Sequence, residues 1–232
     1  EDRSGPGDAG DDGNTMNNKP DISAEQALQR LKDGNERFLA GAGRAIGPQI
    51  ETVAQLSRGQ QPFATILGCS DSRVPPELIF DAWLGELFVV RLAGNVLSPE
   101  VAGSLQYAGS YLQTPLLVVL GHQGCGAIKA ALETKLKGTR LRSRIQLLVD
   151  GILPALAGLD PQLPPPLLLE QAVENNVRHT VRTILETPEG QTRLKEGRMK
   201  IVGAIYEIET GRVRFLEPAE SASLTPKIAK RP

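Results

Sequence analysis

Three side chains of metal-binding type stand at the ends of apolar runs in this 232-residue chain. Cys69 ends the run "FATILGC", His122 ends "PLLVVLGH", and Cys125 comes three residues later. Two thiolates and one imidazole form a soft donor set, which favours zinc over magnesium or calcium. Three protein ligands leave a fourth position for water or for a nearby carboxylate such as Asp71. An open position of this kind is typical of a catalytic zinc.

Each part of this pattern is weak evidence on its own. A His-x-x-Cys spacing is common, and a lone cysteine after a strand is more often an inert buried thiol. A disulfide between Cys69 and Cys125 is the main alternative, above all if the protein is exported. A phosphatase-type cysteine nucleophile is disfavoured, because its phosphate-binding loop has a longer Cys-to-Arg spacing than "CSDSR". The combination at two strand ends, in a chain with two cysteines, favours the metal site.

The apolar runs around these residues predict buried strands. "FATILGC", "ELFVVRLAG" and "PLLVVLGH" lack a clean polar–apolar alternation, which is typical of strands covered on both faces in a parallel sheet. Between the second and third runs, "SPEVAGSLQYAGSYLQ" has apolar residues at helical spacing. This order indicates an α/β fold with a mainly parallel sheet flanked by helices. Ligands bind such sheets at the carboxyl ends of the strands, where the three side chains fall.

Further elements surround this unit. A helix should begin near Ser23, which forms a capping box with Gln26, and Gly34 and Asn35 predict a kink or a weak point in it. Its apolar stripe needs a partner surface, such as that of another subunit. Helices are also predicted at about 141–156 and 167–186, and a β-hairpin closes the fold near the C-terminus.

Composition limits the classes of function. A formal net charge of −1 gives no field for nucleic acid or anionic membranes, and no apolar stretch is long enough to span a membrane. Residues 1–20 are acidic and Gly-rich and are expected to be disordered, residues 21–220 to form one domain, and residues 221–232 to be a flexible tail. The first residue is Glu1, so either a signal peptide has been removed or the sequence has been trimmed. This start is compatible with export, and we expect an exported or periplasmic protein ahead of a cytoplasmic one.

The two metal motifs together resemble those of the β-class carbonic anhydrases. "CSDSR" follows one strand and "GHQGCGA" a later one. The resemblance runs from about Ile22 to Phe215, and further segments match in the same order: "GNERFLAG", "GQQPF", "GELFVVRLAGN", "GSLQYA" and "IVGAIYEIETG". It implies an enzyme that hydrates CO₂ reversibly to bicarbonate and a proton.

The resemblance also implies roles for individual residues. Cys69, His122 and Cys125 would bind one Zn²⁺ per subunit, and Asp71 and Arg73 would form the catalytic dyad beside it. Zinc-bound hydroxide attacks CO₂ in this family. Asp71, held ionised by Arg73, would accept the hydrogen bond of that hydroxide. If the dyad breaks, Asp71 would become a fourth metal ligand in a closed state of the site.

A small apolar substrate needs a pocket lined mainly by carbon. Positions that match the family's substrate pocket are Gln60, Phe88, Ala93, Tyr107 and Gly126. In the family several of these come from a neighbouring subunit, so we expect a homo-oligomer, a dimer or a tetramer, with the N-terminal helix packed across the dimer. Without the resemblance, the pattern around Phe88 and Tyr107 favours ordinary core packing.

One departure from the family bears on regulation. The bicarbonate-inhibited subgroup has a Trp three residues before the first zinc-binding cysteine, and this chain has Ile66 there, although Arg91 and Tyr206 match other residues of that subgroup's pocket. We therefore expect an accessible site of the plant-like type.

Two further interpretations stay open at this point. The same zinc chemistry would serve a hydrolase of carbonyl sulfide or carbon disulfide. A non-catalytic interaction protein, stabilised by zinc or a disulfide, is disfavoured because a structural site has no need of Asp71 and Arg73.

Overall fold

The computed structural model describes residues 22–44, 50–197 and 199–217, and the side chains of residues 50–52 are outside this description. The segments predicted to be disordered or flexible, residues 1–20 and 221–232, lie outside the described residues. Among the described residues, no helix has the length and apolar character that a membrane span needs.

Five strands form one sheet in the order β2-β1-β3-β4-β5. They are β1 Ala64–Gly68, β2 Leu87–Arg91, β3 Leu116–His122, β4 Lys200–Tyr206 and β5 Val213–Phe215. The first four run parallel, and β5 pairs antiparallel with β4. A mainly parallel sheet flanked by helices was predicted, and it is confirmed.

Eight α-helices are present in the described part of the chain, in addition to two short 3₁₀ turns at Ala93–Asn95 and Leu153–Leu156. The helices are α1 Ala24–Leu39, α2 Ile50–Leu56, α3 Pro76–Ile79, α4 Pro99–Ser110, α5 Gly126–Lys137, α6 Ile145–Ile152, α7 Pro165–Glu186 and α8 Pro188–Lys195. The helix predicted at 141–156 is shorter, because its last turn tightens into the second 3₁₀ segment. Helix α7 begins with two prolines, which the first turn tolerates.

Both faces of β1 and β3 are buried, which explains their unbroken apolar runs. The edge strand β2 is only half-buried in the single chain, so the prediction that it is covered on both faces is wrong there. On β3, Leu117 and Val119 join the larger apolar core, in which α5, α6 and α7 take part. Val118 and Leu120 point to the opposite face and pack in a second core with residues of α1 and α3. Alternation along a strand therefore separates two apolar environments instead of separating core from solvent.

Helix α1 is uninterrupted, so the predicted kink at Gly34 and Asn35 is wrong. A Cβ at Gly34 would lie 1.9 Å from the Phe80 carbonyl oxygen, so glycine here allows close packing on α3. The Asn35 side chain is buried and donates to the carbonyl oxygens of Ile79 (3.2 Å) and Gly211 (2.9 Å). These tertiary contacts offset the poor helix propensity of the two residues.

The inner face of α1 packs on its own chain, because Ala27 and Leu31 are fully buried in the second core. The structure is that of a single chain. Packing of α1 against a second subunit therefore stays a prediction.

Helix α7 lies unusually close to the sheet at Val177. A Cβ at Gly121 on β3 would be 2.5 Å from Val177 Cγ2, and one at Gly203 on β4 would be 2.9 Å from Val177 Cγ1. Two strand glycines thus make room for one buried valine of the helix. The contact fixes the position of the middle turns of α7 above the strand that ends in His122.

Candidate metal centre and active site

Cys69, His122 and Cys125 lie together at the carboxyl edge of the sheet. Cys69 follows β1, His122 is the last residue of β3, and Cys125 is the N-cap of α5. Their potential ligand atoms all lie within 4.8 Å of one another, and the three residues are 4%, 0% and 1% exposed. Parallel strands end at one edge, which is why residues more than 50 positions apart meet here.

His122 is oriented for metal binding. Its Nδ1 lies 3.0 Å from the Gln123 carbonyl oxygen, and a proton on Nδ1 would be donated to that oxygen. This tautomer leaves a lone pair on Nε2, which is buried and has no hydrogen-bond partner among the described residues. A buried nitrogen without a partner carries a desolvation cost unless it binds something.

The two thiols are free, and their sulfur atoms are 4.0 Å apart, about twice the length of a disulfide bond. A hydrogen bond shared with the Cys125 thiol lowers the pKa of Cys69, and the Gly94 and Asp71 N–H groups lower it further. The pKa of Cys125 is raised, because its proton is shared with Cys69 and because it is buried. The pair therefore holds a thiolate at neutral pH, the form that binds metals.

Asp71 and Arg73 form a tight pair at the mouth of this cluster. Arg73 donates from Nε and from its backbone N–H to Asp71 Oδ1 (2.9 and 3.0 Å), and from Nη2 to Oδ2 (2.8 Å). Hydrogen bonds from Arg73 hold the pKa of the Asp71 carboxyl well below its usual range, so it is ionised throughout the neutral range. Asp71 Oδ2 lies 3.9 Å from His122 Nε2, which places the carboxylate beside the cluster.

Arg91 braces the segment that joins the cluster to this pair. It ends β2 opposite Gly68, and its Nε donates to the Cys69 carbonyl oxygen at 2.9 Å. Its Nη2 donates to the Asp71 carbonyl oxygen. In the sequence, Arg91 is only a match to the pocket of the bicarbonate-inhibited subgroup. Its place at the end of an apolar strand that flanks "CSDSR" was the available signal for a bracing role.

The other two residues of that regulatory comparison are structural here. Ile66 is fully buried in the second core, and Tyr206 is buried in the same core opposite His122 in the β3–β4 register.

The predicted substrate-pocket residues fall into two groups. Ala93 begins the 3₁₀ turn whose Gly94 N–H lies 3.4 Å from Cys69 Sγ, and Gly126 follows Cys125 directly. These two residues form the first group, beside the cluster. The second group is Gln60, Phe88 and Tyr107, and in it Phe88 on the edge strand β2 packs against Tyr107 of α4, with ring centroids 6.0 Å apart.

In the second group, Gln60 and Tyr107 are exposed to solvent in the single chain. Tyr107 is 45% exposed and stacks on Tyr111, which is 76% exposed, and Gln60 is also exposed. An exposed cluster of aromatic rings beside an edge strand is typical of a surface that another molecule covers.

Comparison with known proteins identifies the family of the chain. The carbonic anhydrase family model matches residues 64–213, which include all three candidate ligands. Carbonic anhydrase 2 of Mycobacterium tuberculosis is 38% identical over 195 residues, which cover 83% of this chain and 93% of the relative. A carbonic anhydrase of Mycolicibacterium smegmatis is 36% identical over 200 residues, covering 84% and 95%.

Solved structures show the same fold. The β-carbonic anhydrase CcaA superposes with a TM-score of 0.66 at 29% identity, covering 82% of this chain and 95% of its own. A Coccomyxa β-carbonic anhydrase in complex with acetazolamide gives 0.67 at 26% identity, covering 82% and 84%. The family model, the curated relatives and the solved structures agree with one another, and the chain therefore belongs to the β-carbonic anhydrase family.

Proposed function

We propose that this enzyme carries out the reversible hydration of CO₂ to bicarbonate and a proton at the cluster of Cys69, His122 and Cys125. The observation that supports this location is a buried set of two sulfur atoms and one nitrogen with an ionised carboxylate beside it. The hydration itself agrees with the naming of its relatives as carbonic anhydrases. The position of the site and the role of each residue are our proposal.

Zn²⁺ is the cofactor that fits this donor set. The site has one thiol with a lowered pKa, a second thiol 4.0 Å away, and an imidazole nitrogen that has no hydrogen-bond partner in the described part of the chain. These three groups would supply the ligands of a catalytic zinc. When bound, zinc supplies Lewis acidity that lowers the pKa of a water in the fourth position.

Asp71 orients the nucleophile. Its two oxygens are held by Arg73, and its charge is retained at neutral pH, so it can only accept hydrogen bonds. A carboxylate oxygen that accepts the O–H of the attacking water fixes the direction of the lone pair that attacks CO₂. The proton released in the overall reaction leaves to solvent or buffer.

Arg73 keeps Asp71 in this orienting position. Three hydrogen bonds hold the carboxylate, with Oδ2 3.9 Å from His122 Nε2. Without them the carboxylate could turn toward the cluster and act as a fourth ligand, which would block the position that water needs.

A second subunit would complete the substrate pocket. Ala93 and Gly126 flank the cluster of their own chain, whereas Gln60, Phe88 and Tyr107 would line the pocket of a neighbouring subunit across the β2 edge. The exposed rings of Tyr107 and Tyr111 support this assignment. Two Sordaria macrospora relatives of this fold are described as tetrameric. Analytical ultracentrifugation should give a mass at least twice the 24.9 kDa of the chain.

Hydrolysis of carbonyl sulfide or carbon disulfide and a non-catalytic role are not favoured, because the matching relatives are named carbonic anhydrases.

Stopped-flow CO₂ hydration on protein of measured zinc content tests the proposal. The zinc-loaded enzyme should turn over rapidly, activity should disappear after removal of the metal by a chelator, and it should return on addition of one zinc per chain. Cys125→Ser, measured alongside, should fail to regain activity with zinc. Full activity in a metal-free preparation, or in Cys125→Ser, would refute the proposed site.

A further inference from the structure

Asn176, in the middle of α7, reaches toward the candidate metal centre from a distant part of the chain. Its side chain is 1% exposed, and its Nδ2 donates to the Gly94 carbonyl oxygen at 2.8 Å. Gly94 lies 82 positions earlier, in the 3₁₀ turn that follows β2. This contact joins a buried helix face to the loop that approaches Cys69.

Gly94 is held at both of its peptide groups. Its N–H lies 3.4 Å from Cys69 Sγ, and its carbonyl accepts from Asn176. Its φ of 76° is in the left-handed region, and a Cβ there would lie 2.8 Å from Ile152 Cδ1 and 3.3 Å from Ala127 Cβ. Ile152 and Ala127 pack against one side of Gly94 and Asn176 bonds to its carbonyl, so the backbone of this residue, including its N–H, is held in one orientation.

Helix α7 is well placed to fix this turn. Val177, next to Asn176, is seated over Gly121 and Gly203 of the sheet, so the helix cannot easily move toward or away from the cluster. One turn further along, Thr180 Oγ1 makes a longer contact of 3.4 Å with the Asn95 carbonyl. Two successive carbonyls of the turn thus face α7.

Burial of the Asn176 side chain has a desolvation cost. Asn176 lies on the helix face that buries Val173 and Val177, and its Oδ1 is buried without a hydrogen-bond partner among the described residues. An apolar side chain would avoid the cost of burying that oxygen. The bond from Nδ2 to Gly94 is the contact that an apolar side chain could not supply.

We propose that Asn176 is a positioning residue for the metal centre: by holding Gly94, it aims the Gly94 N–H at the sulfur of Cys69. This rests on the proposed function, in which Cys69 binds zinc. An N–H directed at a thiolate withdraws charge from the sulfur and fixes its orientation. Changes in such outer contacts typically alter metal affinity by about 10–100-fold.

The test compares Asn176→Leu with Thr180→Val in the full chain. Leucine has a similar volume and lacks the donor, whereas Thr180→Val removes the neighbouring, longer contact on the same helix. Zinc affinity is measured by competition with a chromophoric chelator. The cobalt-substituted proteins are compared by their thiolate-to-cobalt charge-transfer band.

Asn176→Leu should bind zinc about 10–100-fold more weakly, because the thiolate loses the N–H group that stabilises and orients it. Its charge-transfer band should move to lower energy, because the N–H no longer withdraws charge from the sulfur. Thr180→Val, which loses a contact to Asn95 and none to Gly94, should change the affinity and the spectrum much less. Unchanged affinity and an unchanged band in Asn176→Leu would overturn the proposal.

If Asn176→Leu does not fold, Asn176→Ala, which adds no volume, takes its place. Val173→Ala then serves as the control for a cavity in the same helix face. Weaker zinc binding in Asn176→Ala alone supports the proposal, and equal binding in both variants overturns it. A wild-type chain that binds no zinc would instead refute the proposed metal centre, so the two failures can be told apart.

Discussion

The three buried side chains of the metal centre and the Asp71–Arg73 pair beside them are held by different kinds of contact. Cys69, His122 and Cys125 are brought together by two strands and a helix, and each is less than 5% exposed. Asp71 and Arg73 are two residues apart and bond to each other, and the Arg73 side chain is 55% exposed.

This difference separates two requirements of the site. The distances between the three ligands depend on the sheet, because the register of β1 and β3 brings Cys69 and His122 together. The pair needs only its own loop and the brace from Arg91. Metal binding should therefore fail when the cluster changes, whereas the orientation of the nucleophile should fail when the pair changes.

Replacement of a ligand should have the largest effect. His122→Ala should lose stoichiometric zinc and at least about 10³-fold in kcat/KM, because the remaining thiols cannot hold the metal in its catalytic geometry. Metal analysis and stopped-flow hydration measure both. Val119→Ala, which opens a cavity in the same strand, should keep zinc and most of its activity. A His122→Ala enzyme with full zinc would contradict the ligand assignment.

Loss of the pair should preserve the metal. Arg73→Gln should lower kcat/KM by about 100-fold while one zinc per chain stays bound, because Asp71 loses its charged partner and its fixed direction. Arg73→Lys, which keeps the charge but not the forked geometry, should fall between this variant and wild type. Equal activity of all three proteins would show that Arg73 does not position Asp71.

The Arg91 brace should give a smaller loss. Arg91→Gln removes two hydrogen bonds to carbonyl oxygens, each worth about 0.5–1.5 kcal/mol. Because the brace acts on the loop and not on the reacting groups, it affects the rate only through the position of Asp71, and we expect a reduction in kcat/KM of about 10-fold with full zinc content. A loss as large as that of Arg73→Gln would mean that Arg91 contacts the reacting groups itself.

Substitution of a glycine in α1 or in α4 should change the free energy of unfolding without changing the catalytic activity. Gly34→Ala places a Cβ against the Phe80 carbonyl and should cost about 2–3 kcal/mol in the free energy of unfolding. Gly103→Ala in α4 meets nothing within 4 Å and should add about 0.5 kcal/mol. Urea unfolding measures both. A change in kcat/KM of the folded enzyme would contradict the separation of site and scaffold.

Much of the site could be predicted from the sequence, because its residues stand at the ends of apolar runs. Parallel strands bring such positions to one edge, so Cys69 and His122 could be placed together without a structure. The dyad is local, and its two members are visible in "CSDSR".

Residues whose role depends on distant partners could not be predicted in this way. Gly34 and Asn35 look like helix breakers until Phe80 and Gly211 are placed beside them. Asn176 sits on the apolar face of a predicted helix, and a polar residue there was a signal. Its partner Gly94, however, is fixed by the packing of α7 on the sheet.

The close packing of Val177 on Gly121 and Gly203 limits the order in which these three positions can change during evolution. Alanine at either glycine collides with a valine methyl group, so each of those single steps is unfavourable while Val177 is present. Val177→Ala removes the obstruction at the cost of a cavity, after which alanine on a strand would fill the space. The three positions should therefore show strong epistasis, and the route that begins on the helix should be the more accessible one.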